Sequence, residues 1–169
     1  MGDNGRLYAA FDPHYAVKNT ALCAAADVIV PNITEACLMT GTPYQETYDE
    51  EYIRNLLLSL AALGSKTVLL TGVSLSPGRT GVMGYDTAHD SFFSYQNDRI
   101  DASYHGTGDL FSSTLVGAVM RGVSWEEAVR IAADYTAYTI TVTLKNPKQP
   151  WYGVDFESTL PELIRMIHA

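Results

Sequence analysis

Residues 105–111 read His-Gly-Thr-Gly-Asp-Leu-Phe, two glycines around a threonine with an aspartate directly after. An apolar run with helical spacing follows at once, through Leu110, Phe111, Leu115, Val116, Val119 and Met120. Gly106 and Gly108 allow a sharp backbone turn and a close approach to a ligand. The first amides of the following helix have no intrahelical acceptor and lie at the positive end of its dipole, which suits an anion. Asp109 then sets a carboxylate beside that seat. Next to a phosphate such a charge is repulsive unless it has work to do, such as taking a proton from an attacking hydroxyl. A glycine-rich turn with an ordinary first-turn aspartate is the plainer reading. On these four residues alone it is the better one, because short glycine motifs are common.

Three further stretches offer partners for that chemistry. Pro31-Asn32-Ile33-Thr34-Glu35 follows an apolar run at 27–30. Asn-x-x-Glu ahead of a short helix is a capping box, which accounts for both polar residues by itself. At the carboxyl end of a parallel strand, where open α/β sheets bind ligands, Glu35 could instead orient hydrated Mg²⁺ while Asn32 bonds a phosphate or water. Thr71-Gly72 ends a second apolar run. Its hydroxyl and flexible backbone can donate to a phosphate, although a plain β-turn is the better reading in isolation. Asp3 sits in the glycine turn around Gly2 and Gly5, where an Asx-turn explains it equally well.

The elements that must position these residues follow from periodicity and punctuation. Asn4-Gly5 marks a turn in residues 1–8. Asp12-Pro13 opens a predicted helix to residue 26, and 27–30 is a short buried strand ended by Pro31. Asn32 starts a short helix that Gly41 closes. A polar loop at 42–49 leads to a helix over 50–63, and 67–71 reads as a second buried strand. Strands are predicted at 81–87, 91–96 and 99–103, then helices at 109–121, 125–144 and 160–168. Ser124 with Glu127 and Thr159 with Glu162 have capping-box spacing. Residues 145–153, with Pro147 and Pro150, read as a loop. Strands alternate with helices in the first half, which implies a mostly parallel sheet covered on both faces. One domain over 1–169 is the expected organisation.

Composition narrows the class. A chain of 169 residues, 47% hydrophobic and 18% charged, fits one soluble α/β domain with a real core. No apolar run reaches bilayer length, the opening residues lack an apolar signal segment, and a cytoplasmic location is expected. The net charge of −8 with no basic cluster argues against nucleic-acid or membrane partners. Cys23 and Cys37 form no CxxC pair and are expected as free thiols. His14, His89 and His168 show no ligand spacing, so no zinc site is expected, and His105 reads as a loop residue. No GxxxxGK[ST] is present, which excludes a P-loop.

In this order the motifs resemble the ribokinase-like superfamily, and within it the pyridoxal (vitamin B6) kinases. The matching residues are Met1-Gly2-Asp3-Asn4-Gly5-Arg6-Leu7-Tyr8, Pro31-Asn32-Ile33-Thr34-Glu35, Thr71-Gly72 and Gly106-Thr107-Gly108-Asp109. They run through essentially the whole chain. The GTGD and N-x-x-E pair marks the superfamily, and the M-G-D-N-G-x-L-Y opening points to pyridoxal kinase. The resemblance implies a three-layer α/β/α fold, incomplete at its N-terminal side, and ATP-dependent phosphorylation of the hydroxymethyl group of a B6 vitamer. It implies Asp109 as general base and Gly106, Thr107 and Gly108 as the cradle of the transferring phosphoryl group. Asn32, Thr71, Gly72 and Thr107 would serve ATP, and Asp3 and Glu35 would serve Mg²⁺. The family's threonine before Pro-Asn is Val30 here, so the monovalent cation that the resemblance implies lacks that hydroxyl. The family also places further strands and most of its vitamin pocket ahead of the opening motif. The expectation is therefore a chain inactive by itself, paired as a homodimer that buries the edge of the 27–30 strand. Hydroxymethylpyrimidine kinase, another ribokinase-like kinase and a non-catalytic nucleotide-binding fragment are the competing readings.

Overall fold

The Asn4-Gly5 breaker joins two short antiparallel strands, β1 (Gly2–Asp3) and β2 (Arg6–Leu7). Both turn residues have positive φ, 50° and 74°, as a two-residue hairpin turn requires. Helix α1 (Pro13–Cys23) starts where the Asp12 carboxylate accepts the Tyr15 amide at 2.9 Å. Strand β3 (Val28–Ile29) follows, then α2 (Ile33–Thr40), which Gly41 ends in the left-handed region. Helix α3 (Glu50–Ala61) begins at Asp49, whose carboxylate accepts the Tyr52 amide at 2.9 Å. Strands β4 (Thr67–Val73), β5 (Arg79–Asp86) and β6 (Ser91–Asp98) complete a sheet ordered β3-β4-β5-β6. Helices α4 (Thr107–Met120) and α5 (Trp125–Lys145), a 3₁₀ turn at Glu157–Thr159 and α6 (Leu160–His168) follow.

The computed structural model describes residues 2–146, 148 and 153–168. They form two units, the first ending at Ser94 and the second starting at Tyr95.

In the first unit α3 turns Ile53, Leu56, Leu57 and Leu60 inward, the i, i+3, i+4, i+7 stripe of an amphipathic helix. They meet Val68 and Leu70 of β4, Met83 and Tyr85 of β5, and Ile33, Ala36 and Cys37 of α2 in one core. Burying each of these leucines contributes about 1.5–3 kcal/mol. Gly84 has no room for a side chain: a Cβ there would lie 2.4 Å from the Phe93 ring and 2.7 Å from Leu69.

The second unit is built differently. Helices α4 and α5 pack together, burying Phe111, Leu115, Ala118, Val129, Ile131 and Ala132. Beside them lies a buried hydroxyl network. Tyr135 Oη and Thr139 Oγ1 each lie 3.0 Å from Thr159 Oγ1, and Thr159 donates to the Phe156 carbonyl at 2.8 Å. On α5, Arg130 bridges Glu127 and Asp134. Asp134 also accepts from Tyr95 and Asn97.

Four expectations need correction. The sheet is mixed rather than mostly parallel: β3 and β4 pair parallel, β4 and β5 antiparallel. The connection from Val73 to Arg79 is too short for the crossover that a parallel pair needs. Residues 99–103 are not a strand; the chain has left the sheet after Asp98. Thr159 caps no helix, because its hydroxyl is committed to the buried network. Ser124 accepts the Glu127 amide at 3.4 Å, but the Glu127 carboxylate turns to Arg130, so that box is half made. The loop expected around Pro147 and Pro150 lies mostly outside the described residues. Among the described residues no helix is long and apolar enough to cross a membrane.

Candidate active site

The GTGD stretch folds as its residue types suggest. Gly106 caps α4 with φ 83°, a left-handed conformation that favours glycine, and no side chain caps the helix. The first α4 amide bonded back along the helix is that of Leu110, to the Gly106 carbonyl at 2.9 Å. The amides of Thr107, Gly108 and Asp109 precede it, at the positive end of the dipole. A Cβ built on Gly106 or Gly108 would meet nothing within 4 Å, so the protein itself leaves that space open. Thr107 Oγ1 donates to the Tyr104 carbonyl at 3.3 Å, which pins the turn. Asp109 is exposed in the first turn. This arrangement can seat a phosphoryl group on backbone donors and hold a carboxylate next to it.

The N-terminal unit brings Asp3, Asn32, Glu35, Thr71 and Gly72 into one cluster. The capping box is present: the Glu35 amide donates to Asn32 Oδ1 at 2.8 Å, and the Asn32 amide donates to Glu35 Oε2 at 3.1 Å. The box is also a hub. Asn32 Nδ2 donates to the Gly2 carbonyl at 2.9 Å, tying α2 to the β1 strand beside Asp3. Asn32 bridges Thr71 in parallel fashion, and the Thr71 amide donates to the Pro31 carbonyl at 3.0 Å. Gly72 follows with φ 74°, where β4 shifts register between Thr71 and Val73.

Neighbours that sequence reasoning left unassigned complete the cluster. Thr34 Oγ1 accepts the Gly5 amide at 2.9 Å and is buried. The Tyr44 ring covers Gly5 so closely that a Cβ there would lie 2.6 Å from it. Burial, then the carboxylates of Asp3 and Glu35, push the Tyr8 phenol above its ordinary range. Burial and Asp3 do the same to Tyr44. Asp3 and Glu35 thus share one negative region. Thr34 and Tyr8 stood inside the quoted motifs, where their roles were open to inspection. Tyr44 and Tyr48 gave no signal, because their contacts cross tens of residues of sequence.

Among the described residues no three His, Cys, Asp or Glu side chains gather as a metal site. Asp3 Oδ1 accepts the Asn4 amide at 2.9 Å and Oδ2 the Asn4 side chain at 3.2 Å, while Glu35 Oε2 is on the Asn32 amide. Mg²⁺ keeps several waters and is commonly held by one or two carboxylates plus substrate phosphates. Two carboxylates in one negative region fit a hydrated ion carried by a nucleotide. The monovalent cation fits less well, because Val30 offers no hydroxyl.

The profile of the phosphomethylpyrimidine kinase family matches residues 8–151. A hydroxymethylpyrimidine/phosphomethylpyrimidine kinase of Aquifex aeolicus is 29% identical over 132 residues, 76% of this chain and 48% of that protein. A solved structure from Bacteroides thetaiotaomicron, named as a phosphomethylpyrimidine kinase, superposes with a TM-score of 0.91 at 30% identity, covering 97% of this chain and 57% of that one. Another crystal form under that name contains pyridoxal. Pyridoxal kinase from Lactobacillus plantarum superposes with a TM-score of 0.84 at 29% identity, over 98% of this chain and 59% of that one. The chain therefore belongs to the phosphomethylpyrimidine kinase family, whose ribokinase-like α/β fold it shares with pyridoxal kinases. It spans about half the length of these relatives.

Proposed function

We propose that the chain carries the nucleotide and general-base machinery of an ATP-dependent kinase acting on the hydroxymethyl group of a pyridoxal-type vitamer. The observation that carries this reading is the uncapped start of α4, three amides ahead of its first backbone bond with Asp109 among them. In phosphoryl transfer the protein mainly positions groups and stabilises charge. The amides of Thr107, Gly108 and Asp109 hold the transferring group, and Gly106 shapes the turn. Asp109 takes the proton of the attacking hydroxymethyl oxygen as the new P–O bond forms and the bond from the γ-phosphorus to the bridging oxygen breaks, leaving ADP. Asn32, Thr71, Gly72 and the Thr107 hydroxyl serve the nucleotide. Asp3 and Glu35 would hold hydrated Mg²⁺, which would supply charge that offsets the phosphates.

Hydroxymethylpyrimidine is the second reading for the acceptor. The Aquifex aeolicus relative carries that name, and the family matched over 8–151 is named for phosphomethylpyrimidine, while the Bacteroides thetaiotaomicron structure joins a pyrimidine kinase's name to bound pyridoxal. Both acceptors present a primary alcohol on a flat heteroaromatic ring, so Asp109 has the same task with either. A homodimer and a cytoplasmic location belong to the same proposal. The dimer rests on β3, which has β4 as its one strand neighbour among the described residues.

ADP release with pyridoxal, pyridoxine, pyridoxamine and hydroxymethylpyrimidine tests the reading, alongside a magnetic-resonance titration of the chain with ATP and Mg²⁺. Vitamer-dependent release in the native protein and ATP-induced shifts at 106–109 are expected. ATP binding with no acceptor-dependent release in any form of the protein would assign the chain to a non-catalytic nucleotide-binding role.

A further inference from the structure

The loop between α2 and α3 is held at two points by tyrosine hydroxyls. Tyr52, on the first turn of α3, donates to the Pro43 carbonyl at 2.8 Å near the loop's start. Tyr48, near its end, reaches β4: its Oη accepts the Ser74 amide at 3.0 Å and donates to the Gly72 carbonyl at 3.4 Å. The two rings stack with centroids 6.0 Å apart and planes 26° apart.

The place that Tyr48 grips is unusual in the sheet. Between Thr71 and Val73 the β4–β5 register slips, and Gly72 turns to φ 74°. At a bulge the ladder is disrupted and backbone groups need partners elsewhere. One phenol hydroxyl supplies an acceptor on the far side of the bulge and a donor at its centre. A Cβ on Gly72 would meet nothing within 4 Å and the residue is exposed, so the bulge is held through its backbone and open where a side chain would stand.

We propose that Tyr48 is a positioning residue for the nucleotide, its hydroxyl setting the bulge that presents Thr71 and Gly72 to a phosphate. This rests on the kinase reading above. Tyr48 acts through the backbone of Gly72 and Ser74, to which its hydroxyl is committed. The open groove beside it, lined by Gln45, Asp49 and Tyr52 among others, is not a second site, because the Asp49 carboxylate and both phenols are already bonded within the protein.

Tyr48→Phe removes the hydroxyl and keeps the stacked ring; Tyr52→Phe removes the other tether and leaves the bulge alone. Amide exchange at Ser74 and titrations with ATP and with adenosine are read on the 169-residue chain. Tyr48→Phe removes two hydrogen bonds; the one to Gly72 bears on the phosphate, and its loss corresponds to a fold-change of about three to ten. The expected result for Tyr48→Phe is faster Ser74 exchange and ATP binding about three- to tenfold weaker, with adenosine binding unchanged. Tyr52→Phe should leave ATP binding unchanged. Unaltered Ser74 exchange in Tyr48→Phe would overturn the clamp. Faster exchange with unaltered ATP binding, or equal losses for ATP and adenosine, would overturn its phosphate role. If the unsubstituted chain binds no ATP, the kinase reading fails first and takes the nucleotide role with it, whatever Ser74 shows.

Discussion

The two units use their polar groups in opposite ways. In the first, nearly every candidate residue is already bonded to another part of the protein: Asn32 to Glu35 and Gly2, Thr34 to Gly5, Asp3 to Asn4. In the second, the α4 amides that follow Gly106 have no side-chain cap and open space in front of them. One half is a braced frame and the other an open receptor. A substitution in the frame should therefore cost stability before it costs chemistry. In the receptor it should cost chemistry while stability stays level or rises.

Asp109→Asn puts the strongest demand on that contrast. General-base assistance is typically worth about 10²–10⁴ in rate, and the exposed side chain holds no core together. In the native protein kcat should fall by about that factor while ATP affinity and Tm stay close to wild type. Near-native turnover with either acceptor would remove the general base from the proposal.

Thr34→Val is the matching change in the frame. It leaves the Gly5 amide without its 2.9 Å acceptor beneath the Tyr44 ring. Gly5 is exposed, so the cost is that of one ordinary hydrogen bond, about 0.5–1.5 kcal/mol, and Tm should drop measurably. The Asp3 turn should loosen with it, raising the Mg²⁺ concentration needed for half-maximal activity. An unchanged melt would mean that the hairpin is not braced through Thr34.

Gly108→Ala separates the two halves by sign. Position 108 lies within α4, is not a positive-φ glycine, and has space for a Cβ. In a helix alanine is favoured over glycine by about 0.8–1.0 kcal/mol, so calorimetry should show a higher Tm. The added methyl would occupy the space where a phosphoryl group must approach, so ATP affinity should fall. A gain in stability with no loss of binding would show that the anion does not sit over Gly108.

Much of this was legible before the structure, for identifiable reasons. Gly106, Asn32, Gly41 and Asp12 act locally, through caps and turns that reach three or four residues, and sequence displays such signals directly. The hairpin between β4 and β5 was missed as a break in parallel pairing because the aliphatic run of β4 looks the same in either direction. Thr159 has capping-box spacing, yet its hydroxyl serves Tyr135 and Thr139, more than fifteen residues away. Tyr44 and Tyr48 were invisible for the same reason: their partners, Gly5, Gly72 and Ser74, are neighbours only in the folded chain.

The smallest expected effect is alkaline, and it too divides the units. Burial, reinforced by the Cys37 thiol 3.1 Å away, pushes the Tyr52 phenol well above its usual range, and burial raises Cys37. Tyr85 is raised mainly by its hydrogen bond to Asp90. All are acids whose neutral form the first unit prefers. A raised folded value means that their contribution is fully present below the ordinary thiol and phenol values, about 8.5 and 10, and is lost as pH rises through the raised ones. In the second unit two carboxylates shift the other way, as Asp27 and Asp86 do in the first. The Arg130 hydrogen bond lowers Glu127, and the Asn146 side chain lowers Asp155. Their contribution is present above the ordinary carboxylate range and is lost as pH falls below it. From about pH 9 upward the first unit should loosen ahead of the second. The chain supplies a probe for each unit, because both cysteines precede Ser94 and both tryptophans follow it. Thiol labelling of Cys37, normalised to a free thiol at each pH, should accelerate before tryptophan fluorescence changes, and Tyr52→Phe should delay that onset. Simultaneous changes in the two probes would mean that the units unfold as one and that this alkaline asymmetry does not exist.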